Sequence, residues 1–251
     1  MKVIILAAGI GKRLGPSNEN KPKCLLKFGG TSLLHHHFRN LINFSVSEII
    51  IVYGYQRELI DAEISLFDLK IPLTTIYNPD YTMGSVVSFW CTKDYLKSGS
   101  DIILMDADVL YDPRILKTLI ESGKQNCFLL DREFEPGDEP VKLCIYKGEI
   151  IEFRKHIDGG LDFDQQGESV GFFKFAPDVA GKLADRAQSY IDNDRREEPY
   201  EEVIRDQLLA EKQAFAFEDI TGLPWIEIDF PEDIDKAGQV LTDINSGQIN
   251  N

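Results

Sequence analysis

An apolar run, Val3-Ile4-Ile5-Leu6, passes directly into Ala7-Ala8-Gly9-Ile10-Gly11-Lys12-Arg13-Leu14-Gly15, and Lys21-Pro22-Lys23 follows shortly after. Small residues and glycines let backbone N–H groups approach an anion closely, and Lys and Arg supply the countercharge. Phosphate binding is the chemistry such a segment suits. The spacing is not the dinucleotide GxGxxG, because Leu14 stands where the third glycine belongs. No Gly-Lys-Ser/Thr occurs here either, which excludes a Walker A loop. Pro22 fixes its own φ and stiffens the approach to Lys23, a compact point charge suited to an α-phosphate or an incoming phosphate. Arg13 is the expected clamp for departing β,γ-phosphates. Lys12 and Lys21 rank below these two.

A second constellation is acidic. Asp106 and Asp108 follow the apolar run Ile102-Ile103-Leu104-Met105, at the carboxyl end of an expected strand. Open α/β sheets place their ligands there. Hard oxygen donors suit Mg²⁺ that bridges to substrate phosphates. Asp229 ends another short apolar stretch, Trp225-Ile226-Glu227-Ile228, and is the expected second ligand beside Asp108. Asp229-Phe230-Pro231-Glu232 also reads as a helix start, and both roles can hold together.

Charge sharpens the reading. The chain carries −15 overall while its first thirty residues carry +5, which leaves −20 on the remainder. So acidic a body repels nucleic-acid backbones and anionic membranes, and a small positive mouth suits a nucleoside triphosphate. No apolar run approaches the ~18 residues of a membrane span, and no secretory cleavage pattern opens the chain. Cys24, Cys91, Cys127 and Cys144 are scattered, so neither disulfides nor a zinc site is expected, and a reducing cytoplasm is the expected compartment. His35-His36-His37 lies in a helical pattern, where successive residues diverge by about 100°, so the three cannot converge on one ion.

The elements that must position these residues alternate through the first half. Strands are expected at Val3–Leu6, Glu48–Val52, Thr74–Tyr77 and Ile102–Met105. Helices are expected at Leu33–Phe44, Glu58–Ile64, Gly84–Leu96 and Asp112–Glu121. Such alternation implies right-handed crossovers and a mainly parallel sheet. The second half changes character. A hairpin is signalled at Lys147-Gly148, between Val141–Tyr146 and Glu149–Phe153. A strand at Val170–Phe175 follows, with helices at Pro177–Ile191, after Pro199, and at Pro231–Leu241. One domain over residues 1–242 is expected, with a nucleotide-binding half (1–125), an acceptor-binding half (126–242) and a polar, disordered tail (243–251).

Taken together, Leu-Ala-Ala-Gly-x-Gly-x-Arg-Leu and Lys-Pro-Lys-Cys-Leu resemble the signature of nucleotidylyltransferases that join a nucleoside triphosphate to a phosphorylated small molecule. Asn78-Pro79-Asp80-Tyr81, Gly84-Ser85-Val86-Val87-Ser88, Asp106-Ala107-Asp108, Asp131-Arg132-Glu133, Glu168-Ser169-Val170-Gly171 and Trp225-Ile226-Glu227-Ile228-Asp229 extend the likeness over roughly residues 1–240. They look most like the phosphocholine cytidylyltransferase family within the sugar-phosphate nucleotidylyltransferase and MobA-like superfamily. The resemblance implies an α/β, Rossmann-like three-layer (GT-A-like) fold and CMP transfer from CTP to a small phosphorylated alcohol or phosphonate.

Phosphocholine and 2-aminoethylphosphonate are the favoured acceptors, with Mg²⁺ as cofactor and pyrophosphate released. By the same resemblance, Asp108 and Asp229 match the metal-binding aspartates. Leu6, Ala7, Ala8, Gly9, Gly11, Arg13, Lys23, Asn78, Ser85 and Asp106 fall on the nucleotide side. Arg132, Lys142, Lys155, Glu168 and Tyr200 fall on the acceptor side, with Lys142 and Lys155 matching basic positions of inositol-phosphate relatives. Trp90, Tyr200 and Trp225 are available as cation–π walls for a quaternary ammonium, and Glu168 and Glu201 as carboxylates for an ammonium. A sugar-1-phosphate or inositol-1-phosphate nucleotidylyltransferase, a glycosyltransferase with an Asp-x-Asp site, and a non-catalytic nucleotide sensor remain the alternatives. Oligomerisation is left open.

Overall fold

The computed structural model describes residues 1–18 and 21–249, apart from the side chains of 16–18 and 248–249. Glu19, the one acidic residue of the basic segment, and residues 250–251 of the expected tail lie outside the described residues. A seven-stranded sheet runs in the order Ala216–Asp219, Cys127–Leu130, Phe172–Phe175, Ile102–Asp106, Lys2–Ala7, Glu48–Tyr53, Leu73–Tyr77. All neighbours pair parallel except Phe172–Phe175, which is antiparallel to both Ile102–Asp106 and Cys127–Leu130. A mainly parallel sheet is covered on both faces, so its central strands read as unbroken apolar runs. Ile4, Ile50 and Leu104 pack on one face with the helix Pro177–Asp192. Val3, Ile5 and Met105 pack on the other with Leu33–Leu41 and Pro113–Glu121.

Two small sheets carry the second half's loops to the rim. Glu149–Arg154, Lys142–Tyr146 and Gln165–Glu168 form an antiparallel triplet. Trp225–Glu227 pairs antiparallel with Val109–Tyr111. The strands Cys127–Leu130, Ala216–Asp219, Val109–Tyr111 and Gln165–Glu168 carry too few residues for their period to be read from sequence.

Two expectations are corrected. The helix Gly84–Leu96 is two, Ser85–Trp90 and Lys93–Leu96. Thr92 Oγ1 donates to the Phe89 carbonyl at 2.7 Å, and a hydroxyl bonded back to the preceding turn favours such a break. The last helix does not stop at Leu241 but runs Pro231–Ile249. Ile234, Ala237, Leu241 and Ile244 recur at helical spacing and pack with Leu14, Phe28, Leu33, Leu110 and Ile228. Ile244, within the stretch expected to be a disordered tail, is 4 % exposed.

Candidate active site

Strand pairing brings the acidic residues together. Glu227 is in register with Val109, and Ile228 N–H donates to the Asp108 carbonyl at 3.0 Å. Asp108 and Asp229 therefore emerge side by side from a short ladder joining segments 120 positions apart. The helix start at Pro231 is capped by Asp233, whose Oδ2 accepts from Asp229 N–H at 3.0 Å and Phe230 N–H at 2.7 Å. The Asp229 carboxylate is thereby left free of capping duty. Asp108, Glu227 and Asp229 each offer a carboxylate oxygen, and these oxygens lie within 4.8 Å of one another.

The cations come from the first segment. A 3₁₀ turn at Lys23–Leu25, entered through Pro22, holds Lys23 while Cys24 is buried behind it. Lys23 Nζ donates to Asp108 Oδ2 at 2.9 Å and to Asp229 Oδ1 at 2.6 Å. Arg13 Nη2 donates to the same Asp229 oxygen at 2.8 Å, and Nη1 to Glu139 Oε2 at 2.6 Å. Leu14, fully buried, anchors the loop, and Gly11 takes a φ of 68° that favours glycine.

A cleft of about 350 Å³ opens before these groups, lined by Leu6, Ala7, Gly9, Gly11, Arg13, Lys23 and Asp108. A side chain at Gly9 would meet nothing within 4 Å, so the glycine leaves that space open. Tyr81, Thr82 and Met83 close the opposite side. On the far side of the carboxylates lies a cavity of about 480 Å³ with Glu168, Trp225, Glu227 and Asp229 in its wall.

Charge in the site is unbalanced towards the negative. Burial works against the Lys23 charge, but Asp108 and then Asp229 outweigh it and raise its pKa. Burial, then Asp108 and Asp229, push the Glu227 carboxyl well above the usual range. Burial, then Asp108 and Glu201, do the same to Asp106. Lys23 and Arg13 thus leave carboxylate charge uncompensated, and a cluster of hard oxygen donors in that state fits a divalent cation.

Other expected residues are placed differently. Asp106 turns away from Asp108: its Oδ2 accepts from Tyr200 O–H at 2.7 Å, so the Asp-x-Asp pair does not converge on one point. Asn78 donates to Ser88 Oγ at 2.9 Å and accepts from Asp80 N–H, and Ser85 Oγ accepts from Tyr200 N–H. Both stabilise the turn whose middle, Tyr81–Met83, lines the cleft. Ala8 is buried beside that cleft, and its carbonyl accepts from Tyr55 N–H.

Arg132 pairs with Asp219 at 2.8 Å. Lys142 Nζ donates to the carbonyls of Gly137, Pro140 and Lys155, and so ties down a loop rather than presenting a free ammonium. Lys155 pairs with Glu139 at 3.1 Å, next to Arg13. Trp90 donates to Gln188, and Trp225 to Asp131. His35, His36 and His37 point to three separate carbonyls, of Glu63, Phe28 and Ala107.

Sequence reading missed Glu227 and Glu139. Glu227 was legible, since it alternates with Asp229 onto one face of its strand. Glu139 had no local signal, because only folding brings it to Arg13.

A family model for the MobA-like NTP transferase domain matches residues 3–160. The chain belongs to that family. A CTP:phosphoglutamine cytidylyltransferase of Campylobacter jejuni is 25% identical over 255 residues, covering 94% of this chain and 98% of its own length. A CMP-5′-(3-aminopropyl)phosphonate synthase of Streptomyces rubellomurinus is 25% identical over 93% of this chain, which spans 37% of that protein. The solved inositol-1-phosphate CTP transferase of T. maritima superposes with a TM-score of 0.76 at 20% identity, covering 98% of this chain and 96% of its own. This NTP transferase is therefore a nucleotidyltransferase with a Rossmann-like α/β fold. It uses a nucleoside triphosphate and a phosphorylated acceptor. Among the described residues no helix is long and apolar enough to cross a membrane.

Proposed function

We propose that the chain is a Mg²⁺-dependent cytidylyltransferase, moving CMP from CTP to a small acceptor that carries a phosphate or phosphonate and a cationic head group. An acceptor oxygen attacks the α-phosphorus, the α–β phosphoanhydride bond breaks, and pyrophosphate leaves with the bonding electron pair. The nucleophile is already anionic at neutral pH, so no general base is needed. Positioning and charge neutralisation then supply the catalysis.

The observation that carries this reading is the placing of Lys23 between Asp108 and Asp229, at the junction of a glycine-lined cleft and an acidic cavity. Residues 1–125 would bind the nucleotide and 126–242 the acceptor. Asp108, Glu227 and Asp229 would hold Mg²⁺, which when bound supplies countercharge to the triphosphate. Lys23 stabilises the pentacovalent centre, and Arg13 steadies the departing pyrophosphate. The choice of CTP rests on the two relatives whose names specify cytidylyl chemistry. The head group's charge rests on the acidic lining of the acceptor side.

Pyrophosphate release measured with each triphosphate across a panel of acceptors tests the proposal. CTP with an acceptor that carries a cationic head group is expected to lead. Faster release from UTP or dTTP with a sugar 1-phosphate would move the chain to the sugar-phosphate branch.

A further inference from the structure

Behind the carboxylate triad lies a second, much smaller chamber of about 40 Å³, faced by Asp106, Ser169, Glu201 and Glu227. Two of its polar atoms are buried without a partner: Ser169 Oγ, on a residue 6 % exposed, and Glu201 Oε2. Buried polar groups are ordinarily paired, so two orphans facing one small space describe what belongs in it. Asp106 keeps one oxygen engaged with the Tyr200 hydroxyl. The cation at the chamber's edge, Lys155, is bonded to Glu139.

We infer that this chamber is a primary-ammonium pocket, which receives the terminal –NH₃⁺ of the acceptor and rejects N-methylated head groups. The inference rests on the cytidylyl-transfer reading and narrows its acceptor class. A primary ammonium brings three donors to a hydroxyl and carboxylate oxygens that lack them, and one positive charge to a space lined by four carboxylates, Glu139 among them. A trimethylammonium has no N–H and would leave both orphans unpaired.

Size points the same way. At roughly 10–15 Å³ per water-sized group, the chamber holds about three such groups. That accommodates a methylene and its ammonium, but three methyls around nitrogen overfill it. The aromatic walls, Phe153, Phe173 and Tyr200, pack edge-on, with Phe173 5.8 Å from Phe153 and 6.2 Å from Tyr200 between ring centres, and leave no broad cage between them. Glu227 belongs both to this chamber and to the triad whose oxygens lie within 4.8 Å. The chamber therefore adjoins the carboxylates that would hold the metal.

The test is a methylation series with the wild-type protein: 2-aminoethyl phosphate and its mono-, di- and trimethylated forms, each with CTP, read as kcat/KM from pyrophosphate release. A fall of about a hundredfold along the series, carried mainly by KM, is expected where a site built for N–H donors loses them. Glu201→Gln should raise KM for the unmethylated acceptor by roughly tenfold and flatten the series, with KM for CTP unchanged. A flat series, or a preference for the trimethylated form, overturns the pocket while leaving cytidylyl transfer standing. Pyrophosphate release from CTP with none of the acceptors overturns the underlying reaction as well. The wild-type series needs no variant, so poor folding of Glu201→Gln cannot shelter the proposal.

Discussion

Lys23 Nζ lies 2.6 Å from Asp229 Oδ1, and the same oxygen accepts from Arg13 at 2.8 Å. Two cations and one carboxylate oxygen thus meet at the mouth of the cleft. In the protein without ligands, the groups that would grip a triphosphate are held by the groups that would grip its metal.

Asp108→Asn is expected to fold normally and to lose activity by about 10²–10³-fold, because an amide cannot neutralise metal charge as a carboxylate does. Asp229→Asn should behave similarly, and should also loosen Arg13. Calorimetric Mg²⁺ titration alongside the kinetics checks both. Wild-type turnover of Asp108→Asn at saturating Mg²⁺ would remove that residue from the mechanism.

Lys23→Ala should depress kcat by about 10²-fold with a smaller change in KM for CTP, since its charge faces the centre where negative charge gathers. Removing the ammonium also frees two carboxylates, so Mg²⁺ should bind the nucleotide-free variant more tightly than wild type. A pure KM effect would reassign Lys23 to simple nucleotide binding.

Burial, and next the Asp131 charge, push the Glu168 carboxyl up to about 7 from 4.5. Between those values the native protein keeps a proton that the unfolded chain has released. Stability therefore falls as pH rises from about 4.5 to about 7, by on the order of 2 kcal/mol once partial exposure is allowed for. Glu168→Gln should relieve that loss. Thermal melts of variant and wild type should separate progressively across this window, with the variant higher at pH 8. A separation independent of pH would show that the carboxyl does not titrate there.

Ile244→Ala should lower stability by about 2–3 kcal/mol, or roughly 5–10 °C in Tm, because it empties a filled position under the last helix. Gln239→Ala, on the exposed side of that helix, should leave Tm nearly unchanged. Equal melts for the two variants would show that the helix end contributes no packing.

The sequence alone determined the layout of the sheet's parallel half, because buried parallel strands must be continuously apolar and their crossovers must be helical. It also determined which residues of the first segment line the cleft, since their pattern is local: glycines, a stiffening proline and two cations close behind one strand. The Asp-x-Asp motif was visible, but its division was not. Asp106 and Asp108 part company because the chain turns between them, one towards Tyr200 and the other towards Lys23. Glu139 meets Arg13 only through long-range packing, and no local pattern marks a residue brought from more than a hundred positions away. The same holds for Lys142, whose ammonium is taken up by the carbonyls of Gly137 and Pro140 and by that of Lys155, which only strand pairing brings beside them. Spacing along the chain fixes what lies on one strand or turn, whereas tertiary packing decides which charges finally meet.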